Sequence, residues 1–183
     1  MKQFSIWGSA FLIGLIITAL LFQILGFRVN LTDSIPVGLY QIQNGIPIKN
    51  AFVIFCPDER RAFRQGLERA YIGHGLCAGG YGYLMKQVVA TEGDIISVST
   101  QGVYVNKKPI PYSKPKSKDA KNRKLEHWQA VNYQLKKDEF LTMSNQSEYS
   151  FDSRYYGLIH KEQIKGAITP IWTKTTLEKK YEQ

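Results

Sequence analysis

The chain has little of what metal, nucleotide or redox chemistry needs. Only two cysteines occur among 183 residues, Cys56 and Cys77, too few for a disulfide scaffold and without metal-ligand spacing. The three histidines, His74, His127 and His160, are scattered, and none stands in a recognisable triad or HExxH context. No P-loop or GxGxxG pattern is present, so nucleotide chemistry has no motif to rest on. No internal repeat is visible, which argues against a repeat architecture. Acidic residues are in deficit: 15 Asp and Glu face 24 Lys and Arg, a formal charge of +9. Such a balance suits nucleic acid, an anionic lipid surface or an acidic protein, and selects none of them by itself.

What is present begins with a long apolar run. Residues 4–25 carry no charge and only Ser5, Ser9, Thr18 and Gln23 as polar side chains. Such a run is long enough to cross a bilayer as a helix, which takes about 20 residues; a buried core helix is the other reading. A cleaved signal peptide has a shorter apolar region and a small-x-small site, which Gly26-Phe27-Arg28 does not supply. The run is therefore read as an uncleaved anchor. Lys2 precedes it and Arg28 follows, a slight bias toward a cytoplasmic start with the rest of the chain outside. The length suits one domain plus this appendage.

Directly after the run comes Asn30-Leu31-Thr32-Asp33-Ser34-Ile35-Pro36-Val37-Gly38-Leu39-Tyr40. Pro36 fixes its own φ and biases Ile35 toward extended geometry, and Gly38 permits a turn or a close backbone approach. Ser34 on this ledge is either an ordinary turn serine or an exposed nucleophile. Strand patterns follow at residues 39–42, 51–56, 83–90, 95–98, 103–105, 140–143 and 165–172. Pro57, Asp58 and Glu59 mark a helix start, and the helix should end before Gly73, where a glycine-rich loop runs to Gly82. Asn106-Lys107-Lys108-Pro109 reads as a turn. Residues 112–124 are basic and apolar-poor, a solvated loop or a contact for lipid headgroups. Lys86 sits among Leu84, Met85, Val88 and Val89; it either faces solvent or is buried, and burial would disfavour its charged form. These patterns predict a mainly β domain with a short helical insertion, carried on one N-terminal membrane helix.

Three segments together resemble the ordered boxes of type I signal peptidases. They are Ser34-Ile35-Pro36-Val37-Gly38-Leu39-Tyr40, Lys86-Gln87-Val88-Val89-Ala90-Thr91-Glu92-Gly93-Asp94 and Ser150-Phe151-Asp152-Ser153-Arg154-Tyr155-Tyr156-Gly157. The serine box ending in Gly-Leu-Tyr, with Cys56-Pro57 and Gly75-Leu76-Cys77, is most similar to the conjugative-transfer, TraF-like branch. The resemblance implies a signal-peptidase-like β domain over residues 28–183, with an insertion at 57–82 and a basic loop at 112–124, behind an anchor at 1–27. It implies Ser34 as nucleophile and Lys86 as general base, with the Thr32 hydroxyl and the Ser34 N–H as oxyanion donors. Ser150 would position the lysine amine, and Asp152 and Arg154 would form an ion pair beside the site. One departure is visible: the Gly-Asp-Asn of general signal peptidases reads Ser144-Asn145-Gln146, which moves the chain away from housekeeping preprotein processing.

The resemblance further implies an inner-membrane, single-pass enzyme with a periplasmic catalytic domain, and no cofactor, metal or nucleic acid. Its substrate would be a membrane-held precursor, most of all a conjugative pilin, cleaved or joined into a ring. A general signal peptidase and a non-catalytic periplasmic assembly subunit are the alternatives. An extracytoplasmic domain meets an oxidising compartment, where a Cys56–Cys77 disulfide would persist; two buried free thiols are the alternative.

Overall fold

The computed structural model describes residues 2–144 and 146–174, with side chains from Trp7 onward. Residues 175–183 of the expected domain, and Asn145, lie outside the described residues.

Helix α1 (Lys2–Ile24) is 23 residues long, about 35 Å at the α-helical rise. Its segment Trp7–Ile24 is long and apolar enough to cross a membrane, and none of it packs inside the domain. A core helix would bury one face, so that alternative does not describe α1. The helix stops at Gly26, whose φ of 79° is left-handed backbone that glycine adopts without a Cβ penalty. Strand β1 (Phe27–Asn30) follows at once. The junction is tied down: Phe22 and Phe27 stack with ring centroids 4.5 Å apart. Gly26 O accepts from Ile42 N at 2.9 Å, and Arg28 donates to Gln23 O at 3.1 Å.

The larger sheet combines β1 with β2 (Gly38–Gln43), β3 (Phe52–Phe55), β4 (Leu84–Ala90), β9 (Glu139–Met143), β10 (Ile159–His160) and β11 (Ile164–Thr173). Its seven strands run in the order β1-β2-β11-β3-β4-β9-β10, with antiparallel pairing throughout. The smaller sheet holds β5 (Ile95–Ser99), β6 (Gly102–Val105), β7 (Lys108–Pro109) and β8 (Ala130–Gln134), four strands in the order β7-β6-β5-β8. The mainly β expectation is met. Gly38 is required where β2 meets β11: a Cβ there would stand 2.2 Å from Trp172 O and 2.7 Å from Thr173 Cα.

Helix α2 (Arg61–Glu68) and helix α3 (Ser153–Tyr156) cover one face of the large sheet. Under them Val53, Phe55, Phe63, Ile72, Tyr81, Leu84, Val88, Phe140, Tyr156 and Ile159 form one core cluster. Full burial of each large apolar side chain contributes about 1.5–3 kcal/mol. A second cluster, including Ile96, Val98, Val103, Val105, Leu141 and Met143, joins the small sheet to β4 and β9. A third, of Ile35, Tyr40, Ile54 and Ile168, lies behind the serine ledge.

Several expectations need correction. Helix α2 begins at Arg61 and not at Pro57, because Asp58 accepts from Arg60 N at 3.1 Å and from the Arg60 guanidinium at 2.8 Å, forming a turn first. It ends where Ala70 takes a positive φ of 60°. Lys108 and Pro109 belong to a strand, since Asn106 and Lys107, both with positive φ, make the whole turn of the β6–β7 hairpin. The basic stretch 112–124 is a loop, but a docked one. Lys118 bridges Lys124, Asp119 takes Arg123 and the Tyr71 hydroxyl, and Arg69 donates to Lys124 O at 2.8 Å.

Cys56 and Cys77 are joined in a disulfide, with Cα atoms 5.5 Å apart and a sequence separation of 21. It ties the end of β3 to the glycine-rich loop. In the chain-entropy account, closing such a loop stabilises by about 3 kcal/mol. The Cys56→Ser, Cys77→Ser variant should therefore unfold at lower urea concentration with a stability deficit near that value. An unchanged midpoint would show that the bond constrains nothing that unfolding releases.

Candidate active site

Strand β4 alternates its faces. Leu84, Lys86 and Val88 are buried on the side of the main core, and Lys86 lies opposite Val53 on β3. The sheet thus places a lysine where an apolar residue would normally sit. Its side chain is 3% exposed. The Nζ stands 2.5 Å from Ser34 Oγ and 2.9 Å from Ser150 Oγ, and the two hydroxyl oxygens are 3.3 Å apart. The three groups make a closed triangle drawn from the ledge, β4 and the segment before α3. Ser34 is only partly buried, so the triangle opens outward through its hydroxyl.

Burial pushes the Lys86 amine down from 10.5 to about 8, because removing water penalises the ammonium form. The Asp152 carboxylate opposes that shift and the Arg154 guanidinium adds to it. At pH 7 about one amine in ten is then neutral, against fewer than one in a thousand for a free lysine. A neutral amine is an acceptor; an ammonium is not. In that neutral fraction the triangle holds a lone pair within reach of a serine proton.

Asp152 and Arg154 are both fully buried. The guanidinium makes two 2.8 Å bonds to the carboxylate, through Nε to Oδ1 and through Nη2 to Oδ2. It also donates to Ser150 O at 2.9 Å, Glu148 O at 3.1 Å and Tyr112 O at 2.8 Å. Asp152 caps α3 by accepting from Arg154 N, and takes Ser144 N at 3.2 Å. The pair thus fixes the backbone on both sides of Ser150, and through it the hydroxyl that holds Lys86.

Thr32 is exposed, and its hydroxyl donates to Asn30 Oδ1 at 2.9 Å. To serve an oxyanion it would have to turn away from that partner. His74 and His160 are exposed, and His127 lies near Trp128 in a separate cleft of about 310 Å³. None of them joins the triangle among the described residues. Sequence reasoning missed Asn30 and Gln146, whose side chains hold the ledge from either side. No motif marks them: Asn30 bonds the Thr32, Ile35 and Pro36 carbonyls within its own loop, and Gln146 bonds Asp33 O from 113 positions away.

The family model for "Signal peptidase, peptidase S26" matches residues 1–173. This chain belongs to the signal peptidase S26 family. Among its relatives is the plasmid transfer protein TraF of Escherichia coli, 46% identical over 148 residues, which are 81% of this chain and 83% of that protein. A second Escherichia coli plasmid transfer protein TraF is 43% identical over 148 residues, 81% of this chain and 84% of the relative. The conjugal transfer protein TraF of Agrobacterium fabrum is 27% identical over 150 residues, 81% of this chain and 83% of the relative. The resemblance read from the three boxes is thus met at the level of the family and of its conjugal-transfer members.

Proposed function

We propose that the chain is a membrane-anchored serine endopeptidase in which Ser34 is the nucleophile and Lys86 its general base. The observation that carries the reading is the 2.5 Å approach of a buried amine to the Ser34 hydroxyl, with Ser150 closing the triangle. In acylation, Ser34 Oγ attacks the scissile carbonyl carbon while Lys86 Nζ takes the hydroxyl proton. The tetrahedral oxyanion is met by the Ser34 N–H and the Thr32 hydroxyl. Collapse breaks the C–N bond, Lys86 returns the proton to the leaving amine, and an ester remains on Ser34. Lys86 then takes a proton from the incoming nucleophile as it attacks the ester carbon; the C–O bond to Ser34 breaks, and Lys86 returns that proton to Ser34 Oγ. Water gives a free carboxylate, and a peptide amine gives a new peptide bond.

The substrate in this reading is an exported, membrane-held precursor, with a conjugative pilin first. The TraF relatives and the departure at Ser144-Asn145-Gln146 favour it over broad preprotein processing, and the bare apolar α1 suits a membrane-held substrate. α1 would sit in the inner membrane and the β domain in the periplasm, with small residues preferred beside the cleaved bond. The full chain in detergent, mixed with a pilin-like precursor, should yield a shortened product by mass spectrometry. A ring is lighter than the cleaved linear form by one water. The Ser34→Ala chain should leave the precursor intact; cleavage by that variant would remove Ser34 from the chemistry.

A further inference from the structure

Residues 31–37, which carry Ser34, lie between β1 and β2 and outside both sheets. Backbone carbonyls in such a segment need partners from elsewhere. Side chains supply them. Asn30, 5% exposed at the end of β1, donates through Nδ2 to Thr32 O at 2.8 Å, Ile35 O at 2.9 Å and Pro36 O at 3.2 Å. Its Oδ1 accepts from Thr32 N at 3.2 Å and from Thr32 Oγ1 at 2.9 Å. Three carbonyls on one side and two donors on the other leave the carboxamide one orientation. From across the site, Gln146 Nε2 donates to Asp33 O at 3.1 Å. The Tyr40 hydroxyl adds a bond to Pro36 O at 2.5 Å.

These contacts bear on more than ledge stability. A peptide unit is planar, so the Asp33 carbonyl and the Ser34 N–H point in opposite directions in one rigid group. Holding Asp33 O on Gln146 therefore sets the direction of the Ser34 N–H. Holding Thr32 through both its N–H and its hydroxyl sets where that hydroxyl can turn. When the hydroxyl leaves Asn30 Oδ1 for a developing oxyanion, the Thr32 N–H still satisfies the oxygen left behind. We infer that the carboxamides of Asn30 and Gln146 are positioning residues that preset the oxyanion site formed by the Ser34 N–H and the Thr32 hydroxyl. The inference rests on Ser34 acylation, as proposed above. It also gives the third residue of Ser144-Asn145-Gln146 a task.

The experiment uses the full chain in detergent, a precursor substrate, and a peptide boronate ending in alanine. The boronate adduct on Ser34 is tetrahedral and places an oxygen where the oxyanion forms. Gln146 is exposed, so Gln146→Ala should fold normally. It is expected to lower kcat by about tenfold to a hundredfold, the scale of a small misplacement, with KM little changed. Boronate affinity should fall by a similar factor, while precursor binding measured in the Ser34→Ala background stays the same. Asn30→Asp keeps the acceptor for Thr32 and loses the carbonyl donors, and is expected to do the same or more. Adding Thr32→Val to Asn30→Asp should then cost little further. Normal kcat and boronate affinity in Gln146→Ala overturn the inference, even if Asn30→Asp does not fold. So does a loss of precursor binding in the Ser34→Ala background that equals the loss in kcat. If the unaltered chain does not cleave, or Ser34→Ala does, the Ser34 reading fails and takes this one with it. Unimpaired variants of an active enzyme overturn this one alone.

Discussion

Replacing Lys86 with alanine should lower precursor cleavage by about 10⁴-fold, the upper range for losing a general base. Ser34→Ala should do at least as much, and the double variant should be no worse than the poorer single, since the pair acts as a unit. Lys86→Arg should fail too, because a guanidinium stays protonated. The unaltered enzyme should show kcat/KM rising tenfold per pH unit and levelling above about 8, the pH at which the buried amine loses its proton. The same burial carries a stability signature. The folded value lies below the unfolded 10.5, so the folded state disfavours the proton. Below pH 8 both states are protonated and the full penalty applies, about 3 kcal/mol. Between pH 8 and 10.5 the folded chain has lost the proton and the unfolded chain has not, so stability rises with pH. Lys86→Met should therefore be more stable than the parent at pH 6, and the gap should close by pH 10.5, as read by urea unfolding. Near-normal cleavage by Lys86→Ala would end the Ser/Lys mechanism and return attention to the histidines.

Arg154→Ala should be the most destabilising single change near the site. It strands the fully buried Asp152 carboxylate and frees the carbonyls of Tyr112, Glu148 and Ser150. Removing one partner of a buried ion pair costs about 3–5 kcal/mol. The pH profile gives a second readout with a definite sign. Arg154 helps lower the Lys86 value and Asp152 raises it. A folded remnant of Arg154→Ala should therefore have its acidic limb displaced to higher pH, and Asp152→Asn should displace it to lower pH. Urea unfolding and cleavage rates between pH 6 and 10 measure both. A stability loss under 1 kcal/mol would show that water reaches the pair and relieves it.

The sequence carried the architecture wherever a strand has an apolar face. β3, β4 and β9 are dense in β-branched and aromatic residues and were readable from pattern alone. β1 and β8 were not, because Phe-Arg-Val-Asn and Ala-Val-Asn-Tyr-Gln show no such face; their pairing partners make them strands. α3 escaped because it is one turn long, although Asp152 before it and Gly157 after it are cap residues. At the site, Ser34 and Lys86 lie 52 positions apart, and Lys86 and Ser150 lie 64 apart. Only an ordered set of boxes could bring such distant residues together on paper. The burial of Lys86 was undecided in sequence, since alternation along a strand does not say which face is inside. The register opposite Val53 decides it.

The join between α1 and β1 is short and held by three contacts. The ring stack of Phe22 on Phe27, the bond from Ile42 N to Gly26 O and the Arg28 bond to Gln23 O fasten the helix end to the sheet. The four residues of β1 rise about 13 Å, and the ledge begins where they end. With α1 standing in a bilayer, Ser34 is carried at one altitude above the lipid, like a blade on a fixed bracket. If the substrate is the membrane-held precursor proposed above, it can offer only the bonds that reach that altitude. Most of its peptide bonds would then be rejected by height, before any pocket has read a side chain.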